Sequence, residues 1–239
     1  MNNRKVKTIG ILGGMGPEAT LYLYGQIIIN TPAEKDQDHI PVIINSNPQT
    51  PDRTRNIVYG EESPLPYLVQ GAKLLEKAGA SLLLIPCNTA HYYIDDISAE
   101  ISVPIISMID TTSATVAGAG VKKAGILATT GSIQSGLYQK MLQKYGVEVV
   151  LPNSREQEEI VMEAVYGKKG VKAGYKRGPG ELLKRAAALL EDRGAECIIA
   201  GCTEIPLVLK QSGVKSHLYN PMELLAKAAI KIAREEIDN

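Results

Sequence analysis

The sequence predicts an α/β protein of two similar lobes, each a mostly parallel sheet flanked by helices, related by pseudosymmetry and facing each other across a cleft. Three observations lead there. Short aliphatic runs alternate with longer stretches of helical period, the pattern of parallel strands covered by helices on both faces. Gly10-Ile11-Leu12 recurs as Gly125-Ile126-Leu127, an offset of 115 (125 − 10), and Leu74-Leu75-Glu76, Gly79-Ala80 and Cys87 recur as Leu189-Leu190-Glu191, Gly194-Ala195 and Cys202 at that same offset. A shared offset between separated matches marks a repeated unit of about 110 residues. Finally, 239 residues with 44% hydrophobic content, 11 Tyr and no Phe or Trp bury a sizeable core, and that core must be aliphatic.

In chain order, the first expected strand is Lys7–Leu12, followed by the glycine loop Gly13, Gly14 and Gly16 and by Pro17, a residue suited to the first turn of the helix expected over 17–29. A strand at Val42–Asn45 precedes a polar loop, and a helix at Pro64–Ala78 leads to the buried strand Ser81–Ile85. A helix at Thr89–Ser98 and a strand at Pro104–Ser107 complete the first lobe. The second repeats the scheme with strands Ala124–Ala128, Val147–Leu151 and Glu196–Ala200 and helices Gln134–Lys144, Arg155–Tyr166, Gly180–Arg193 and Glu204–Gln211, and a strand at His217–Tyr219 follows it. The last helix, 221–237, is expected to return to the first lobe. The division is therefore 1–108 plus 216–239 for the first lobe and 109–215 for the second, with the break near Met108–Asp110 and no long linker.

Charge and cysteine content narrow the function. With 26 basic and 26 acidic side chains the chain carries no net charge, which argues against a nucleic-acid binder and, with the apolar content, against a disordered polymer. Three cysteines are too few and too odd in number for a disulfide scaffold, so a reducing compartment is expected. The apolar runs Ile9–Leu12 and Leu82–Ile85 are too short for a secretory leader or a bilayer span. The expectation is a cytoplasmic protein with no membrane or nucleic-acid partner.

Two strand-to-loop junctions carry the chemistry. In SLLLIPCNTAH, Cys87, Asn88 and Thr89 fall at the carboxyl end of a buried strand, where open α/β sheets bind ligands. A helix starting there is expected to lower the thiol pKa below its free value of about 8.5, with Thr89 as cap and Asn88 as a donor to a carboxylate. ECIIAGCTEIP repeats the arrangement with Cys202 and Thr203, while Cys197 sits among apolar neighbours as core. Thiols on equivalent loops of facing lobes suit inversion of a stereocentre, where one base removes a proton from one face and an acid delivers another to the opposite face.

Other chemistries fit less well. No C-x-x-C knuckle supports a metal site, and of His39, His91 and His217 only His91 lies near a cysteine. A Cys–His hydrolase lacks an orienting acid, so His91 is expected on a helix surface or behind the site. The glycine loop offers N–H groups to an anion, but the second strand ends in Asn45-Ser46-Asn47 without the acidic residue of a dinucleotide fold. Arg53 in NPQTPDRT is placed to grip a carboxylate, and the lysine-rich segment Tyr166–Gly180 suits a lid over an anionic ligand.

GILGGMGPEAT, NPQTPDRT, PCNTAH, LATTGS and AGCTEIP, in this order along nearly the whole chain, resemble the aspartate/glutamate racemase family, and most of all its aspartate racemases. That resemblance implies an isomerase of two pseudosymmetric lobes that uses neither pyridoxal phosphate nor metal and assembles as a homodimer. It implies Cys87 and Cys202 as the acid–base pair, Arg53 and Lys172 at the side-chain carboxylate, and Asn88, Thr89 and Thr203 around the α-carboxylate and amino group. Thr129 and Thr130 match the pocket rim, and Gly14, Met15 and Asn47 are further expected substrate neighbours. Glutamate racemases carry Asp-Ser-Gly after the first strand and His after Gly-Cys-Thr, whereas this chain has Gly13-Gly14-Met15 and Glu204. The expected reaction is interconversion of L- and D-aspartate. A broad aspartate/glutamate racemase and a non-catalytic dicarboxylate binder are the alternatives.

Overall fold

In the computed structural model, which describes residues 6–234, every expected aliphatic run becomes a strand. β1 (Ile9–Gly13), β2 (Val42–Ser46), β3 (Leu82–Leu84) and β4 (Ile105–Ile106) form a parallel sheet in the order β2-β1-β3-β4. β5 (Lys123–Leu127), β6 (Glu148–Val150), β7 (Cys197–Ala200) and β8 (His217–Tyr219) form a second parallel sheet in the order β6-β5-β7-β8. The two orders coincide when the strand number is raised by four. β1, β3 and β7 are buried at every position because helices cover both faces, which is why they are almost purely aliphatic.

Around the first sheet lie α1 (Pro17–Asn30), α2 (Arg53–Tyr59), α3 (Leu65–Lys77) and α4 (Ile94–Ser98), and α5 (Met108–Gly118) follows, with Met108 in the core of the first sheet and Ile109 and Val116 in that of the second. Around the second lie α6 (Thr130–Ser135), α7 (Leu137–Lys144), α8 (Ser154–Glu156), α9 (Glu163–Tyr166), α10 (Arg177–Asp192) and α11 (Ile205–Val208), with a π-helical segment Gln157–Met162 joining α8 to α9. α12 (Pro221–Arg234) packs Met222, Leu225, Ala226 and Ala229 into the core of the first sheet, against Leu23 and Ile27 of α1. Among the described residues, no helix is long and apolar enough to cross a membrane.

The repeat extends to side-chain packing. A methyl group on Gly10 would meet Leu83, Ala80 and Leu75 at 2.5, 2.8 and 3.4 Å, and one on Gly125 would meet Ile198, Ala195 and Leu190 at 2.8, 3.1 and 3.1 Å. Each contact in the second set stands 115 positions after its counterpart (198 − 83, 195 − 80, 190 − 75). Both glycines let the helix behind the sheet approach the first strand of its lobe. Gly10→Ala and Gly125→Ala should therefore each destabilise the protein by about 1–3 kcal/mol through overpacking, measured by urea denaturation.

Several expectations need correction. α5, which begins at Met108, was not among the expected helices. Its Thr-rich sequence is a weak helix former, but Ser107 Oγ accepts from Asp110 N at 3.1 Å, and Thr111, Thr112 and Thr115 donate to carbonyls one turn back. α2 replaces part of an expected loop, capped by Asp52, which accepts from Arg55 N at 2.9 Å, and ended by Gly60 at φ 68°. β8 pairs with β7, so residues 217–219 belong to the second sheet although the expected boundary at 216 put them with the first. The chain opens as a 3-10 turn at Thr89–Tyr93 before α4, and α11 stops at Val208. α10 begins at Arg177, ahead of the expected Gly180. The expected end of the last helix at Ile237 lies outside the described residues.

Candidate active site

Cys87 follows β3 and Cys202 follows β7, the two equivalent strands of the repeat, and both thiols line one cavity between the sheets. Each residue is 5% exposed. The space in it that the centre of a water-sized sphere can reach is about 10 Å³, room for about one water molecule. The wall contributed by the first half includes Met15, Arg53, Asn88 and Thr89, and that from the second half includes Thr129, Lys172 and Thr203.

Arg53 is the first residue of α2 and is 7% exposed. Its Nη1 donates to the carbonyls of Thr50 and Pro51 at 3.2 and 2.9 Å, and Nη2 to that of Met15 at 3.4 Å. The guanidinium is thus pinned in its own loop, while Nε is buried without a partner. Burial works against its charge, but the nearby Cys87 sulfur and Asp52 carboxylate outweigh it and hold the pKa above the ordinary arginine value. Asn88 behaves similarly. Its Oδ1 accepts from Tyr138 Oη at 2.7 Å, which leaves Nδ2 buried and unpartnered. Two unused donors on cavity-lining residues are what an incoming carboxylate requires.

Lys172 reaches the cavity from a 3-10 turn, Val171–Ala173. Its Nζ lies 2.7 Å from Glu204 Oε1 and 5.3 Å from the centre of the Tyr166 ring. Glu204 was expected only as a departure from glutamate racemases, yet it lines the cavity. Its Oε2 accepts from Cys202 Sγ and from Thr203 Oγ1, both at 3.1 Å. Burial tends to raise the Glu204 pKa, but the Lys172 charge and these donors hold it below the ordinary value. Cys202 shows the reverse. Burial and the Glu204 carboxylate push its thiol well up, with Lys172 opposing, so the expected lowering by a helix start fails there. The physical reason is that burial and the adjacent carboxylate both disfavour the thiolate, and α11, with only 4 residues, offers little to oppose them.

Hydroxyls tie the halves together. Thr89 Oγ1 lies 3.1 Å from Thr129 Oγ1 and 2.8 Å from Ser132 Oγ, and Thr54 donates to Thr129 at 3.4 Å. Thr129 caps α6 rather than Thr89 capping a helix of its own. The expected lid also crosses the cleft: Tyr166 Oη donates to Asp52 Oδ2 at 2.9 Å, and Lys176 pairs with Glu18 of α1. Tyr166 lines the cavity too, and no motif in the sequence singled it out.

Three expected neighbours do not line the cavity. Gly14 adopts φ +94°, where a methyl group would strike the Asn47 backbone at 2.3 Å, and its N–H is taken by Thr20 Oγ1 at 2.9 Å, so it is unavailable to an anion. Asn47 builds the turn toward Arg53 by accepting from Gln49 N at 3.0 Å. Thr130 points toward α8 and the π-helical segment, donating to Glu158 at 3.1 Å.

His91 is 2% exposed and lies behind Cys87, not on a helix surface. Its Nδ1 lies 2.9 Å from the Cys87 carbonyl and its Nε2 accepts from Met108 N at 3.0 Å, so the ring is neutral with the proton on Nδ1. Burial lowers its pKa to about 4. Since the unfolded chain takes up this proton near 6.5 and the folded one near 4, His91 stabilises the protein above pH 6.5 and that contribution is lost as pH falls through 4. Urea titrations should show roughly 3 kcal/mol less stability from this source by pH 4, and a His91→Gln variant should lack that slope. Among the described residues, no group of three or more His, Cys, Asp or Glu side chains is arranged to hold a metal ion.

A family model described as Asp/Glu/Hydantoin racemase matches residues 12–229. The chain is 29% identical over 231 residues to the broad specificity amino-acid racemase RacX of Bacillus subtilis (strain 168), covering 93% of this chain and 96% of that one. Among solved structures it is similar to Picrophilus torridus aspartate racemase, with a TM-score of 0.85 and 29% identity over 95% of this chain and 94% of the other. An aspartate racemase homologue from Pyrococcus horikoshii OT3 matches with a TM-score of 0.77 and 32% identity, over 96% and 100% of the two chains.

Proposed function

From the premise that the chain belongs to the Asp/Glu/hydantoin racemase family, we propose that it interconverts L- and D-aspartate by proton transfer between Cα and two thiols, without a cofactor. The observation that carries this reading is the meeting of Cys87 and Cys202, on equivalent loops of the repeat, in one cavity with Arg53 and Lys172. One sulfur as thiolate takes the Cα proton, and the other as thiol returns a proton to the opposite face. Arg53 holds the side-chain carboxylate. Asn88, Thr89 and Thr203 bind the α-carboxylate and stabilise the enolate-like charge that develops on it, the kind of electrostatic contribution that dominates such reactions. Closure of the 166–180 segment over the substrate excludes water.

A broader specificity has one observation in its favour besides the likeness to RacX. Lys172 is already matched by Glu204 at 2.7 Å, which, among the described residues, leaves Arg53 as the cavity cation without a carboxylate bonded to it. Incubating the purified protein separately with the L-forms of aspartate, glutamate, alanine and lysine, followed by chiral chromatography, decides the matter. Aspartate should be racemised fastest. Comparable rates across the set would establish the broad reading, and no turnover with any of them would favour a binder.

A further inference from the structure

The two thiols have different neighbours, although the repeat makes them equivalent in position. Glu204 is 5% exposed and both of its oxygens are engaged, Oε1 by Lys172 at 2.7 Å and Oε2 by Cys202 and Thr203 at 3.1 Å. An ionised carboxylate has no proton to give, so the contact at Sγ requires Cys202 to be the donor, an S–H. Among the described residues, no carboxylate is bonded to the Cys87 sulfur. It faces the Arg53 guanidinium, with Asp52 beyond, the Lys172 ammonium also within reach and the neutral Tyr93 hydroxyl nearby. Around Cys202 the other titratable groups are Lys172 and the neutral hydroxyls of Tyr138 and Tyr166. Of the side chains that line the cavity, Arg53 and Lys172 are cationic and Glu204 is anionic, while the Asp52 carboxylate lies outside the lining beside Arg53.

We propose that Glu204 is a positioning residue that keeps Cys202 protonated in the free protein, so that the resting site is poised with Cys87 as the base and Cys202 as the acid. This rests on the two-thiol reading and adds a direction to it. From the poised form, the Cα–H bond breaks toward Cys87, its electron pair entering the enolate, while the Cys202 S–H bond breaks and its proton joins Cα on the opposite face. The products of that step are a Cys87 thiol and a Cys202 thiolate beside the Glu204 carboxylate. Two negative charges in contact make this form unfavourable. Cys87 then releases a proton to water, Cys202 takes one from water, and the resting arrangement returns.

Alkylation tests this without requiring turnover. Both thiols are equally covered, 5% each, and Cys197 at 0% serves as an internal control. The protein is treated with iodoacetamide across a pH series and the modified peptides are followed by mass spectrometry. At pH 7 Cys87 should react at least about tenfold faster than Cys202, because the thiolate is the nucleophile and the Glu204 carboxylate holds Cys202 as an S–H. The Cys202 rate should also rise at higher pH than the Cys87 rate. Glu204→Gln, checked for folding by circular dichroism, should speed Cys202 and bring the ratio within about threefold, because the amide donates to a thiolate instead of repelling it. Faster labelling of Cys202 than Cys87 in the unaltered protein overturns the proposal, as does an unchanged ratio in Glu204→Gln. Should that variant not fold, the order of the two pH midpoints in the unaltered protein decides. If the racemase reading itself is wrong, aspartate is not racemised whatever the labelling order, so the two failures are separable.

Discussion

Cys87→Ser and Cys202→Ser should each lower kcat/KM for aspartate racemisation by about 10³-fold or more, the scale of a lost general acid or base. A hydroxyl keeps the shape of the thiol but ionises far outside the working pH range, so neither proton removal on one face nor delivery on the other survives. Because the two groups act in a single event, the double variant should be no worse than either single one, measured by polarimetry on matched samples. Cys197→Ser is the contrast. That thiol is fully buried in β7, its pKa raised to about 12 chiefly by burial, and it does not line the cavity that Cys87 and Cys202 share. Its replacement buries a hydroxyl in a strand and should cost stability while leaving kcat unchanged.

Arg53→Lys should reduce kcat/KM for aspartate by about 10²-fold, even though the charge is kept. The effect is geometric. Three backbone carbonyls, those of Thr50, Pro51 and Met15, hold the guanidinium at 2.9 to 3.4 Å, and Nε remains as the unused donor. An ammonium cannot satisfy these acceptors and still present a donor to a carboxylate. Thermal denaturation of the variant should also shift downward, since the abandoned carbonyls are buried, and steady-state kinetics at saturating aspartate separates lost binding from lost chemistry. Substrates without a side-chain carboxylate should be affected less, which ties the loss to recognition of that group.

Much of this was legible in the sequence because it depends on local pattern. Aliphatic runs located all eight strands, and the offset of 115 anticipated both the matching sheet orders and the paired glycine contacts of Gly10 and Gly125. The cysteines at the ends of β3 and β7 were visible for the same reason, since a parallel sheet puts strand ends on one side. α5 was hidden because hydroxyls bonded to carbonyls one turn back, rather than intrinsic propensity, support it. α2 carried a signal that was passed over: Asp52 three residues before Arg55, with Gly60 at the far end, is a capped helix.

The polar interior of the site depends on contacts that sequence spacing does not encode. Glu204 is two residues from Cys202 and was visible as a departure from glutamate racemases. Its pairing with Lys172, 32 positions away, decides the state of the neighbouring thiol. Tyr166 reaches Asp52 across 114 positions, and His91 is recruited behind Cys87 by the N–H of Met108. Gly14 was placed near the substrate on the strength of its motif, but Thr20 takes its N–H. In each case a partner brought in by the fold determines what a motif residue does.

The central claim is that two thiols invert Cα by exchanging its proton, and incubation with L-aspartate in deuterated water, with no cofactor added, tests it most directly. D-aspartate should appear carrying deuterium at Cα, and the approach to a racemic mixture should stop in the Cys87→Ser and Cys202→Ser variants. Formation of D-aspartate that retains the original proton, or at an undiminished rate in either serine variant, would contradict the account.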